Sequence, residues 1–135
     1  MRNRKPIILV VEDDPIIRMD AMNFVVDAGF EALEADTTNE AIRILEARAD
    51  IHLVFTDVEL PGTMDGLRPA HYIRDRWPPV KLIVASGKFA VDERQLPPGA
   101  RFFSKPYGES ALVAAMICML ADHGGGCVDS STAGA

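Results

Sequence analysis

No apolar run in this 135-residue chain approaches the roughly 18 to 20 residues that a membrane-spanning helix needs. The opening MRNRKP leads straight into a short strand-like run rather than a signal-peptide core. No membrane association is expected, and the cytoplasm is the expected location. Basic charge is scarce too: fourteen Lys and Arg face twenty Asp and Glu, a net charge of -6. That is the wrong sign for a module that grips nucleic acid through its phosphates, so no nucleic-acid partner is expected. Cysteine is nearly absent, with Cys118 in a helical stretch and Cys127 in a Gly-rich tail. Two such residues make neither a disulfide framework nor a metal-ligand spacing, and they read as one packed thiol and one tail thiol. What the chain does hold is apolar content, 48% of its residues, enough for a single domain with its own core.

Residues 7–11 (IILVV) are apolar without alternation, the pattern of a strand covered on both faces in a parallel sheet. Three acids follow, Glu12, Asp13 and Asp14. Asp14 then caps a helix that Pro15 opens, with Ile16, Ile17, Met19, Phe24 and Val25 as a broad apolar face and Ala28-Gly29 as its stop. Residues 30–35 predict a second strand. Thr37 with Glu40 fits a capping box opening a helix that carries Ala41, Ile42, Leu45 and Ala49. The third strand, 51–56, ends at Asp57. A Pro/Gly loop leads to a helix over 67–77, stopped by Pro78-Pro79. Residues 80–85 (VKLIVA) predict the fourth strand, followed by Ser86-Gly87, and 101–104 a short fifth strand running into Lys105-Pro106. Between them, Pro97-Pro98-Gly99 argues against a full helix. The last helix spans 110–120, and residues 124–135 form a Gly/Ser-rich tail with nothing to bury, expected to be disordered.

Five strands alternating with helices define an α/β, doubly wound parallel sheet with right-handed crossovers. Such sheets bind ligands beyond the carboxyl ends of their strands. Glu12-Asp13, Asp57, Ser86 and Lys105 all stand at strand ends, and so converge on one edge. Three carboxylates held together repel one another unless a cation joins them, and a hard divalent ion such as Mg²⁺ answers that need while keeping waters for a phosphate-bearing ligand to displace. Lysine and serine are groups that suit phosphoryl oxygens. Taken singly the signals are weak. An acid run before a helix is more often a solvated helix start, Ser86 reads equally as a turn residue, and Lys105 as a surface charge. Asp57 is harder to dismiss, because an acid closing a run as apolar as LVF is costly unless used or paired.

The set VVEDDP (10–15), FTDVELPGTMDG (55–66), ASG (85–87) and FFSKP (102–106) resembles the receiver domain of two-component response regulators, in the same order and over roughly residues 5–122. The resemblance implies a five-stranded flavodoxin-like sheet of order 2-1-3-4-5. It implies a receiver unit over residues 1–123 and Asp57 as phosphoacceptor, fed by a sensor histidine kinase or a histidine phosphotransfer protein. Mg²⁺ would be held by Asp13 and Asp57 directly, by Glu12 through a water and by the backbone carbonyl of Glu59. Lys105 would pair with the carboxylate and then with the acyl phosphate, Ser86 would bond a phosphoryl oxygen, and Phe102 would stand for the aromatic that turns inward. The Lys105-Pro106 bond would be cis. Such a chain is not a turnover enzyme. It catalyses its own phosphorylation and dephosphorylation.

The chain departs from the family pattern at Glu12, where many relatives have Asp, and in a loop one residue longer around Gly62. It departs again between Ser86 and Lys105, where a shortened, irregular fourth helix is expected, with an output face built from Phe89, Val91 and Leu96. At the pocket rim, beside Gly87, Lys88 and Glu59 read either as an ion pair over Asp57 or as two separately solvated charges. His52, His71 and His123 have ordinary surface or boundary roles, and Met19, Met22, Met116 and Met119 fill core or interface gaps. The expectation is a stand-alone receiver that switches contacts with a downstream protein, with a homodimer left open. The alternatives are a phosphate sink or relay without its own output, and a Mg²⁺-dependent phosphohydrolase working through an aspartyl-phosphate with Glu59 as acid.

Overall fold

All five residues of Ile7–Val11 are buried, and they form strand β1. The computed structural model describes residues 5–57, 64–87, 94 and 96–121, leaving aside the side chains of 64–67. Four further strands follow: β2 (Glu31–Ala35), β3 (Leu53–Asp57), β4 (Lys81–Ser86) and β5 (Arg101–Ser104). Among the described residues there are four helices, α1 (Pro15–Asp27), α2 (Thr38–Ala47), α3 (Met64–Arg76) and α4 (Glu109–Ala121). All strand pairs are parallel and the order is β2-β1-β3-β4-β5, a doubly wound α/β sheet. The period of two along each strand divides the core in two. Ile7, Leu9, Val11, Val54, Leu82 and Val84 face Ala41 and Leu45 of α2 and Ala70 and Ile73 of α3. Ile8, Val10, Leu53, Phe55, Ile83 and Ala85 face Ala21, Phe24 and Val25 of α1 and Leu112, Ala115 and Met116 of α4. Because both faces are covered, β1, β3 and β4 read as unbroken apolar runs. The outer strand β2, EALEA, buries only Ala35 and carries Glu31 and Glu34 on the sheet margin.

Helix starts follow local chemistry. The Asp14 Oδ1 accepts the Ile16 and Ile17 N–H groups at 2.9 and 3.3 Å, with Pro15 in the first turn, where no N–H is needed. Thr37 Oγ1 accepts the Glu40 N–H at 3.1 Å. After α1 the chain reverses through Gly29 at φ +100°, a left-handed conformation suited to glycine. At the foot of the sheet, His52 is a hinge of hydrogen bonds: its Nδ1 accepts the Ile7 N–H at 3.1 Å, and its backbone links to both β1 and β4.

Three sequence expectations need correction. Ile16, Ile17 and Met19 are 78%, 40% and 63% exposed, so they do not belong to the inward face of α1, which consists of Ala21, Phe24 and Val25. An apolar residue on a helix apolar all round carries no facing signal of its own. Leu96 is buried among the α2/α3-side core rather than offered as an output face, while Phe89 and Val91 lie outside the described residues. Cys118 is disulfide-bonded, not a packed thiol, and the chain's only other cysteine, Cys127, lies outside the described residues. No α-helix is described between β4 and β5, where residues 88–93 and 95 lie outside the described set, as does the tail from 122 onward. No helix of the described residues is long and apolar enough to cross a membrane.

Candidate functional site

Strand register assembles the carboxyl edge. Val11 is level with Thr56, so Glu12, one residue on, comes alongside Asp57. Asp57 in turn pairs with Ala85, and Ser86 with Ser104. The ladder continues past the strands: the Glu12 N–H donates to Ala35 O at 3.1 Å, and the Lys105 N–H donates to Ser86 O at 2.9 Å. That last bond fixes the root of the Lys105 side chain beside β4, and its ammonium donates to Asp57 Oδ2. The Asp57 side chain is 6% exposed and that of Lys105 21%, so this ion pair is shielded from water on most sides. Asp57 Oδ1 is buried as well. Glu12 is also buried, and its carboxylate accepts the Asp14 N–H at 3.0 Å. Ser86 is fully buried, whereas Asp13 is exposed at the lip.

Gly87 eases this packing. A Cβ there would lie 3.2 Å from Lys105 Cβ and 3.3 Å from Lys105 Cδ, so glycine lets the lysine stem lie against the strand end. The Lys105-Pro106 bond is cis. Phe102 pairs with Val84 and is half-buried against the α2/α3-side core. Glu59 and Lys88 lie outside the described residues, and with them the rim ion pair and the acid that the phosphohydrolase alternative requires.

Two residues that the sequence reading passed over stand next to the site. Tyr107, two positions after Lys105, stands edge-on to Phe24 of α1 and Phe55 of β3, with ring centroids 6.4 and 6.0 Å away. Burial pushes its phenol above the usual tyrosine range. The Lys105 ammonium pulls it partly back, and Asp57, Glu12 and Asp20 push it up again, which puts the hydroxyl within electrostatic reach of the acidic edge. Arg18 of α1 donates through Nη1 to the Glu12 carbonyl at 2.8 Å and through Nε to Glu34 Oε1 at 2.9 Å. An aromatic just past Lys-Pro and an arginine one turn into α1 are visible in the sequence, but their partners are not.

Among the described residues no group of three His, Cys, Asp or Glu side chains converges to metal-binding distance. The donors nonetheless suit a hard divalent ion: they are carboxylate oxygens on one edge, next to a lysine.

A family model described as "Response regulator receiver domain" matches residues 8–117. The chain belongs to the response regulator receiver domain family. This receiver is 32% identical over 109 residues to the response regulator protein FleR of Pseudomonas aeruginosa, covering 78% of the chain and 23% of that protein. It is also 32% identical over 118 residues to the sensor kinase CckA of Brucella abortus, covering 84% of the chain and 12% of that protein. Among solved structures, a response regulator receiver protein from Sinorhizobium medicae superposes with a TM-score of 0.77 at 26% identity, covering 88% of this chain and 97% of that one. The receiver thus spans less than a quarter of the length of these two curated relatives. Receiver domains are phosphoacceptors that work with histidine kinases or phosphotransfer proteins, and they generally bind Mg²⁺ for phosphorylation.

Proposed function

We propose that this receiver accepts a phosphoryl group on Asp57, in a Mg²⁺-dependent reaction, from the phosphohistidine of a sensor histidine kinase or a histidine phosphotransfer protein. The observation that carries the reading is the shielded Lys105–Asp57 pair beside buried Glu12 at the carboxyl edge. A carboxylate oxygen of Asp57 attacks phosphorus in line as the phosphorus–nitrogen bond breaks, and the imidazole leaves and takes up a proton. Phosphoryl transfer needs positioning and charge neutralisation more than covalent help. Lys105 is within reach to move its ammonium from the carboxylate to the new phosphoryl oxygens, and Ser86 supplies a hydroxyl at the end of the neighbouring strand. Glu12, Asp13 and Asp57, with the Glu59 carbonyl, are the groups that would hold Mg²⁺. When bound there, the ion supplies further neutralisation of the phosphoryl charge.

The added dianion pulls on Ser86 and Lys105 at the ends of β4 and β5. Phe102, half-buried on β5, is positioned to report that pull, so the output is a change in contacts with a downstream protein. A relay role, in which the phosphoryl group is passed on, draws support from the likeness to a stretch of a sensor kinase. Incubation with a radiolabelled, phosphorylated histidine phosphotransfer protein tests the reading. Label should move to this chain and not to Asp57→Asn, and a second, unlabelled phosphotransfer protein should remove it if the chain relays. Equal labelling of Asp57→Asn would refute Asp57 as the acceptor.

A further inference from the structure

Glu12 is held from three sides. Its N–H is bonded to Ala35 O, its carboxylate to the Asp14 N–H, and its carbonyl to Arg18 Nη1 at 2.8 Å. The arginine is itself tied to Glu34 on β2 at 2.9 Å, and its side chain is only 18% exposed. One guanidinium therefore fastens α1 to the ends of both β1 and β2, at the peptide unit that joins Glu12 to Asp13. Rotation of that unit swings both acids, and the guanidinium grips its carbonyl side. Arginine suits the task because its planar fork donates in two fixed directions at once, which a lysine ammonium on a flexible stem does not.

We propose that Arg18 is a positioning residue for divalent-cation binding, acting through the Glu12 carbonyl to hold Glu12 and Asp13 in the orientation that a Mg²⁺ ion requires. The inference rests on the reading of this edge as a Mg²⁺ pocket. Positioning and electrostatics give opposite signs for the loss of Arg18. A positive guanidinium close to the acids repels a cation, so by Coulomb's law its removal should tighten Mg²⁺ binding. Positioning demands the reverse.

The test is a calorimetric titration of MgCl₂ into the full chain and into Arg18→Met and Arg18→Lys, each first melted without Mg²⁺ to establish that it folds. Outer partners that orient metal ligands typically contribute 10- to 100-fold in affinity, so the Mg²⁺ dissociation constant is expected to rise about tenfold in Arg18→Met. Arg18→Lys keeps the charge and loses the fork, and is expected to weaken binding by several-fold on the same ground. Phosphorylation by acetyl phosphate at saturating Mg²⁺ should stay within about twofold of wild type, a split between cation affinity and chemical rate that general destabilisation would not give. Should Arg18→Met fail to fold, Arg18→Lys carries the same test. Unchanged or tighter Mg²⁺ binding in the variants, beside a wild type that binds, would overturn the role of Arg18 alone. A wild type that shows no Mg²⁺ binding would overturn the pocket itself and this inference with it.

Discussion

Replacing Lys105 with methionine should expose how much the acidic edge depends on that lysine. Methionine keeps most of the stem that lies against Gly87 and removes only the ammonium. Removing one partner of a fully buried ion pair costs about 3–5 kcal/mol, whereas exposed pairs contribute about 0–1 kcal/mol. The carboxylate here is 6% exposed and the lysine 21%, between those limits but nearer the buried case. A loss of about 2 kcal/mol at pH 7 without divalent cations follows from that interpolation. In an Asp57→Asn background no charge is stranded, and the same substitution should cost under about 0.5 kcal/mol, giving a coupling near 1.5 kcal/mol. Urea unfolding of the wild type, both single variants and the double variant, with a common slope, measures all four corners. If Lys105→Met costs the same in both backgrounds, the two charges are independent and the reasoning about a shielded pair is wrong.

Other consequences are simpler. Gly87→Ala places a methyl 3.2 Å from Lys105 Cβ, a near-backbone atom with little room to yield, and should cost about 1 kcal/mol in stability while slowing phosphorylation several-fold. Tyr107 ionises at higher pH in the folded state than in the unfolded one, because burial disfavours the phenolate. Its contribution is therefore complete below the ordinary tyrosine pKa of about 10 and is lost as pH rises beyond it. Tyr107→Phe should unfold in urea with a shallower alkaline loss than wild type, and parallel profiles would contradict the assignment. Leu112, fully buried between α4 and the sheet, should cost about 3 kcal/mol when cut to alanine, read from the same urea melts.

The parts of this molecule that local chemistry determines were legible in its sequence. Ile7–Val11 and the run before Asp57 are apolar without alternation because helices cover both sheet faces, so strands and fold class could be read together. Asp14 and Thr37 mark helix starts through bonds two or three residues away. Asp57, Lys105 and Ser86 were legible as strand-end residues, since the topology forces such ends to one edge. The facing of α1 was not, because its apolar residues run all round the helix and only packing against β1 and α4 selects Phe24 and Val25. Arg18 and Tyr107 escaped for a related reason. Their partners, Glu34 for one and Phe24 and Phe55 for the other, lie 16 to 83 positions away, and nothing local to either residue announces those meetings.

The central claim is that Asp57 is a Mg²⁺-dependent phosphoacceptor. Intact-protein mass spectrometry after incubation with acetyl phosphate, with and without Mg²⁺ and beside Asp57→Asn, tests it most directly. The account predicts the gain of one phosphoryl group that requires Mg²⁺ and is absent from the variant. A phosphoryl adduct that persists in Asp57→Asn, or that forms equally well without Mg²⁺, would contradict it.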